Sequence, residues 1–220
     1  MKDKISIQSD EQQSTPSFYP SDPKKLKARI RSYERSLRQG GTNDGYGKRY
    51  LLGPMYLLLG DIEGALRHYT WLEQTYPDDI GDPHDRLCWA LAHFKAGSPQ
   101  ANKRLRDALF QNLYLIPHVL GMQIEPYPIW HGSNIAEIDY AEEIPTELCA
   151  LWDEKAKSWA REFYESPSTQ QELKEYLDLE VQLKDEPVGP ARNALVEKIW
   201  AIKNPRVEGP QRLRLIQGGR

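Results

Sequence analysis

Apolar residues recur every three or four positions along most of the chain, which is the period of an amphipathic α-helix. The first such segment follows Ser21-Asp22-Pro23, where an acidic cap precedes a proline that suits a first helical turn. Its apolar side chains fall at Leu26, Ile30, Tyr33 and Leu37. The glycine-rich stretch 40–45 follows, so the pattern predicts a helix that ends before it.

Four further segments have helical periodicity and form two pairs. The first pair is 46–59 with 62–76, and the second pair is 85–96 with 100–113. The C-terminal third is helical again, with a last helix that opens at Pro190. No segment shows the alternation of a half-buried strand. The sequence therefore predicts an all-α fold of stacked helical hairpins with additional C-terminal helices.

The same pattern divides the chain into five parts. Residues 1–21 are polar and Ser/Gln-rich, a composition that favours disorder. The other parts are a helical repeat region at 22–122, a Pro/aromatic-rich linker at 123–136, a C-terminal helical region at 137–203 and a basic tail at 204–220.

The segment LLGDIEGALRHY, residues 58–69, has two glycines and two acids between predicted helices. A phosphate-binding loop needs Lys-Ser/Thr at a helix start after a strand, but here a helix precedes and Leu66-Arg67 stand in that place. Asp61 and Glu63 lie at a helix N-terminus, where the helix dipole favours acids. The segment is therefore a corner between two helices.

Residues around this corner follow the spacing of a known repeat. They are Leu52-Gly53, Tyr56, Gly60, Ala65, Tyr69, Leu72 and Pro77. The chain resembles tetratricopeptide repeat (TPR) proteins, in which small residues let two helices pack closely and a proline ends the unit. Arg49 departs from the repeat, which usually has a large aromatic or apolar residue there. A second unit matches more loosely at Ala90, Gly97, Ala101, Leu105 and Ala108.

The passage after the second unit is similar to a segment beside the TPR-like helices of the suppressor-of-tumorigenicity family and related bacterial repeat proteins. The similarity rests on Ala108-Leu109, Asn112, Pro117, Leu120-Gly121-Met122, Gly132-Ser133, Glu137 and Tyr140-Ala141. Leu113 and Val119 depart from the usual pattern of that segment. The resemblance covers about half the chain and implies a TPR-like short α-solenoid with an interaction role.

TPR arrays present the first helix of each hairpin to a concave groove, where a peptide or helix docks. The resemblance implies a groove lined by Tyr50, Pro54, Leu57, His84, Leu87, Leu91 and Lys95. The carboxylate-clamp subclass uses Lys and Asn in such places, whereas Pro54 stands at the Asn position here. The groove is therefore expected to be apolar and aromatic, suited to an amphipathic or hydrophobic segment.

Charge is unevenly distributed, although the net charge is only −3. Residues 23–49 have nine bases and two acids, 125–186 have sixteen acids and five bases, and 187–220 have seven bases and two acids. These stretches are either solvated faces or surfaces for charged partners. The alternative is a nucleic-acid-binding or complex-assembly protein that uses the basic helix at 24–38 and the basic tail. The candidate nucleic-acid-binding residues are Lys24, Lys25, Lys27, Arg29, Arg31, Arg35 and Arg38.

Candidate chemistry is sparse. His84, Cys88 and His93 lie on one predicted helix, but His93 is rotated off the shared face and no second cluster completes a tetrahedral zinc site. Glu137 and Asp139 near Tyr140 are the one candidate for acid–base chemistry. Tyr127, Trp130 and His131 in the linker can either clamp onto the helices or form a recognition site.

The resulting hypothesis is a non-enzymatic TPR-like adaptor or scaffold without a cofactor or metal, which binds another protein. Cys88 and Cys149 lie far apart within apolar helical patterns, which favours two buried thiols over a disulfide. No stretch approaches the ~20 apolar residues of a membrane span, and the N-terminus has no apolar secretory segment. A cytoplasmic location without membrane association is therefore expected.

Overall fold

The computed structural model describes residues 19–39 and 47–204, and this part of the chain is all-α. It contains eleven α-helices, a short 3₁₀ turn at Asn134–Ala136 and no β-strand. The α-helices are α1 Pro23–Arg38, α2 Lys48–Leu58, α3 Ile62–Thr75, α4 Pro83–Lys95, α5 Ala101–Gln111, α6 Leu115–Val119, α7 Ile138–Glu142, α8 Thr146–Cys149, α9 Glu154–Glu165, α10 Pro167–Asp185 and α11 Pro190–Lys203. The expected all-α class is confirmed.

Helix α1 begins as the sequence predicts. The Asp22 carboxylate accepts a hydrogen bond of 2.7 Å from the backbone N–H of Lys24, which satisfies one of the free donors of the first turn. Leu26 and Ile30 are buried where α1 packs against α2, and most of the basic side chains lie on the solvent side.

Helices α2 and α3 form the first hairpin, and 58–69 is its corner. Gly60 adopts a φ of +73°, the left-handed region that favours glycine, and Asp61 caps α3 by accepting from the N–H of Gly64. Across the helix crossing, a Cβ on Gly53 would lie 2.2 Å from Cζ of Tyr69. The small residue of the repeat pattern therefore lets Tyr69 pack directly on the α2 backbone.

Helices α4 and α5 form the second hairpin, which packs beside the first. The rings of Tyr69 and Trp89 stack with centroids 4.9 Å apart, and both side chains are buried. The guanidinium of Arg104 lies 3.8 Å from the Trp89 ring centroid and also binds Glu73. These contacts join the two hairpins into one hydrophobic core.

The C-terminal helices extend this core. Helices α10 and α11 pack as a hairpin, and Tyr176 of α10 makes an edge contact with Phe110 of α5. Arg106 of α5 binds the Glu172 carboxylate of α10 and the carbonyl of Ile202 in α11. The described helices are too short or too polar to cross a lipid bilayer.

Three local expectations need correction or a limit. Tyr19 falls in the segment 1–21 expected to be disordered, but its ring is buried in the core. The Pro-rich passage at 116–133 is expected from its sequence to be irregular, but its first residues belong to α6, Leu115–Val119. The remaining expectations for 1–18 and for the tail 205–220 lie outside the described residues.

Candidate interaction surface

Most of the predicted groove residues are not exposed. Leu87 and Leu91 have no solvent exposure, and Leu57 and Pro54 are also buried. Tyr50 and His84 are half-buried, and Lys95 is exposed. Their polar atoms contact the chain itself: Tyr50 donates to Asp79 at 2.7 Å, His84 Nε2 lies 2.8 Å from the Tyr140 carbonyl, and Lys95 binds Asp153 at 3.0 Å.

The expectation of an open apolar groove is therefore corrected for Pro54, Leu57, Leu87 and Leu91, which are buried. Helix α8 packs against α2, while α6 and α9 pack against α4, so later parts of the chain contact the helices that were expected to line the groove. The sequence pattern could not give this result, because repeat spacing reports contacts within hairpins and not what covers them.

The Pro/aromatic linker 123–136 is held against the second hairpin by a buried amide. Asn112 follows α5 and is only 1% exposed. Its Nδ2 donates to the carbonyls of Ile135 at 2.9 Å and Glu137 at 3.0 Å, while its Oδ1 accepts from the N–H of Tyr114. Both N–H groups of Nδ2 and the Oδ1 atom of Asn112 are therefore hydrogen-bonded, and these bonds fix the C-terminal end of the linker.

A second attachment lies in the middle of the linker. The buried hydroxyl of Tyr114 accepts a 2.9 Å hydrogen bond from the N–H of Tyr127 and lies 2.7 Å from His131 Nε2. The Tyr114 ring also stacks with the rings of both residues. The structure thus shows Tyr127 and His131 as clamps onto the helices, one of the two alternatives the sequence left open.

Trp130, between these clamps, is different. Its side chain is 63% exposed, although it is one of the largest apolar side chains in the chain. The linker is anchored on both sides of it, at Tyr127 and at His131. Trp130 is therefore presented to solvent from a fixed backbone rather than from a free loop.

The first residues of the linker help to line an open cleft of about 340 Å³ between α6 and α7. Its lining includes Pro117 and His118 of α6, Met122, Gln123, Ile124 and Glu125 of the following segment, and Ile138, Ala141 and Glu142 of α7, with Tyr114 at the base. Apolar side chains from three chain segments meet in it, and two carboxylates belong to its lining. No sequence motif marks this cleft, because its residues are brought together by tertiary packing.

The basic residues of α1 remain largely exposed. Lys24, Lys25, Lys27, Arg31, Arg35 and Arg38 face solvent, whereas Arg29 is half-buried. Five of them, at 24, 27, 31, 35 and 38, fall on one helical face because they are spaced three or four residues apart. Within the described residues, Arg38 pairs with Glu34 at 4.0 Å.

The acid–base candidates do not converge on a site. Glu137 and Asp139 are exposed, while the hydroxyl of Tyr140 binds the Asp82 carboxylate and its ring stacks on His84. Burial, followed by the nearby charge of Asp82, raises the pKa of Tyr140. This side chain has a structural role at the start of α4.

The metal-ligand candidates are also held in packing contacts. His93 Nε2 accepts a hydrogen bond from Trp89 Nε1, and Cys88 is buried as a free thiol. Burial lowers the pKa of His84 and raises that of Cys88, so each favours its neutral form. Over 19–39 and 47–204, no group of three side chains is placed to hold a metal ion.

One buried acid escaped the sequence reasoning. Asp85 is 1% exposed, and its Oδ1 accepts a hydrogen bond of 3.1 Å from Tyr69. Burial and the charge of Asp82 raise the pKa of Asp85, which favours the protonated acid. The only sequence signal is its place in the first turn of α4, which is equally typical of an exposed capping acid.

Comparison with known proteins adds no relative: no family model matches the chain, and no curated protein or solved structure is significantly similar to it.

Proposed function

We propose that this chain is a non-enzymatic adaptor that binds another protein. The helical hairpins supply a rigid frame, in keeping with the TPR-like pattern at 49–77. Because Leu57, Leu87 and Leu91 are buried, the proposal moves the binding surface from the groove to the linker 123–136 and the adjoining cleft.

The observation that carries the proposal is the exposed Trp130 on an anchored backbone. Tryptophan is enriched among the residues that dominate binding energy at protein interfaces. Binding costs less when the contacting segment is already ordered, and here Asn112 and Tyr114 order the linker through the hydrogen bonds described above. The Trp130 side chain is 63% exposed, so it is accessible to a partner.

The test is affinity purification with quantitative mass spectrometry from native cells, using the wild type and Trp130→Ala. Removal of a side chain that dominates the binding energy weakens binding by about thirtyfold. Specific partners should therefore disappear from the eluate of Trp130→Ala. Val188→Ala is the matched control, since Val188 is 96% exposed in the loop between α10 and α11. Equal recovery of every partner with Trp130→Ala and Val188→Ala would refute this surface.

A second candidate function, nucleic-acid binding, has one specific observation in its favour. The five bases that share a face of α1 span about 21 Å of helix, given a rise of ~1.5 Å per residue. Leu26 and Ile30 anchor the opposite face, so the bases are not needed to hold the helix in place. Such a row can follow the phosphates of a nucleic-acid backbone.

The measurement for this candidate is the salt dependence of oligonucleotide binding by fluorescence anisotropy. Five phosphate contacts predict a loss of affinity of about 10²–10³-fold between 50 and 200 mM salt. Reversal of Lys27, Arg31 and Arg35 to Glu should abolish binding. Reversal of the exposed bases Lys155, Lys184 and Lys198 is the control with the same change in charge. Binding that survives the α1 reversals would exclude α1 as the nucleic-acid site.

A further inference from the structure

We infer that the cleft between α6 and α7 binds a cationic amphipathic segment of another protein. This inference rests on the proposed adaptor function and adds the chemistry of the partner. It depends on three features of the cleft, which are its apolar floor, its acidic rim and the position of both beside the anchored linker.

The floor, by which we mean the side chains of Met122, Ile124 and Ile138, supplies apolar contact area within a lining that also includes the polar side chains of His118 and Gln123. Met122 and Ile124 approach from the segment after α6, and Ile138 approaches from α7. All three are partly buried and pack against the hydrophobic core, so the floor is backed by fixed side chains. An open cleft of about 340 Å³ can receive side chains from a docked segment.

The rim supplies negative charge. Glu125 and Glu142 belong to the cleft lining and are exposed. Glu137, Asp139 and Glu143 are also exposed on or beside α7. None of these five carboxylates forms an ion pair with another described residue. The acidic rim is therefore not neutralised by the described part of the chain.

A cationic amphipathic segment matches both features at once. Its leucine-like side chains can cover the floor, while lysine or arginine side chains extend their aliphatic stems over the rim and place their charges near the carboxylates. An anionic segment would be repelled by the carboxylates of the rim. A purely apolar segment would remove these carboxylates from water without giving them a positively charged partner.

Helix α1 of a second copy fits less well. It carries the required bases, but Leu26 and Ile30 are buried against the hairpin and cannot reach the floor of another copy. The basic tail at 205–220 contains Arg212 and Arg214 with leucines between and after them, and it is a competing occupant that the experiment must separate.

The experiment titrates the full-length chain with a labelled 14-residue peptide of lysine and leucine arranged in helical periodicity. Two further peptides replace either all lysines by glutamate or all leucines by serine. The first peptide should bind, and both replacements should weaken binding by about tenfold or more. Binding by the lysine–serine peptide equal to that of the lysine–leucine peptide would overturn the role of the apolar floor.

The site is assigned with a pair of matched double variants. Glu125→Gln with Glu142→Gln removes the two rim charges and should weaken peptide binding about tenfold. Glu162→Gln with Glu175→Gln removes two exposed charges on α9 and α10 and should leave binding unchanged. Equal effects of both double variants would mean nonspecific charge attraction and would overturn the proposal.

Other occupants give distinct results. Peptide binding that rises about tenfold in Arg212→Gln with Arg214→Gln identifies the chain's own tail as the occupant. Self-association of the peptide-free wild type at low salt, lost in the rim variant, identifies a second copy. Either result overturns the inference but leaves the Trp130 test of the adaptor function intact, so the two failures can be told apart.

Discussion

We expect His68 of α3 to make the stability of the folded chain depend on pH. The imidazole is 8% exposed, lies beside the rings of Tyr69 and Trp71, and its Nε2 is 2.7 Å from the carbonyl of Arg49. Burial lowers the pKa of His68 to about 4, although the hydrogen bond to Arg49 and the charge of Glu34 act in the opposite direction. The folded chain therefore favours the neutral His68 ring, which donates a hydrogen bond through Nε2–H.

The size of the effect follows from the difference between the two states. In the unfolded chain the pKa is 6.5, so the unfolded state binds a proton on His68 well before the folded state does. This contribution to stability is fully present above pH 6.5 and is lost as the pH falls toward 4. The complete loss is roughly 3 kcal/mol, and the part that falls between pH 7 and pH 5 is about 2 kcal/mol.

The variant His68→Gln isolates this effect, because its amide can donate to the same carbonyl but does not titrate. Urea unfolding of both proteins at pH 7 and pH 5 gives four free energies of unfolding. The wild type should lose about 2 kcal/mol more than the variant on acidification. Parallel losses in the two proteins would refute the assignment, as would an NMR titration in which the His68 ring protonates near pH 6.5.

Three further predictions concern particular contacts. Gly53→Ala should destabilise the chain by about 1–3 kcal/mol in urea unfolding through collision with Tyr69, whereas Gly189→Ala, with no atom within 4 Å of the new Cβ, should change stability by less than ~0.5 kcal/mol. Asp85 has a raised pKa, so its contribution to stability is lost as the pH rises above ~4, and Asp85→Asn should remove this loss in unfolding curves between pH 4 and 7. Asn112→Ala removes three hydrogen bonds and should cost about 2–4 kcal/mol, with faster hydrogen exchange across 123–136 as the specific signature. An unchanged exchange rate there would show that the linker is held by other contacts.

The helices of the two hairpins were predictable because their signals are local. Asp61 and Asp82 cap α3 and α4 as short-range chemistry requires, and the repeat spacing placed Gly53 opposite Tyr69. Apolar residues also recur with helical spacing from Leu148 to Phe163, but this stretch contains two separate helices, α8 and α9. Periodicity shows which residues face a core, but it does not show whether the backbone continues between them.

The sequence indicated only part of the candidate interaction surface. The aromatic residues of the linker drew attention, but the sequence could not say which of them are clamps. The distinction depends on Tyr114, which is 13 residues from Tyr127 and 17 from His131. In the same way, burial of Leu91 and the formation of the α6–α7 cleft depend on helices that follow much later in the chain.

The sequence by itself determined an all-α chain, the limits of its main helices and the close packing within its first hairpin. These features depend on periodicity, capping and steric fit over a few helical turns. Tertiary structure alone decided that Leu57, Leu87 and Leu91 are buried, that Trp130 remains exposed and that Glu125 and Glu142 line the same cleft. Such outcomes depend on pairs of residues far apart in sequence, whose meeting is set by how whole helices pack and not by any local pattern.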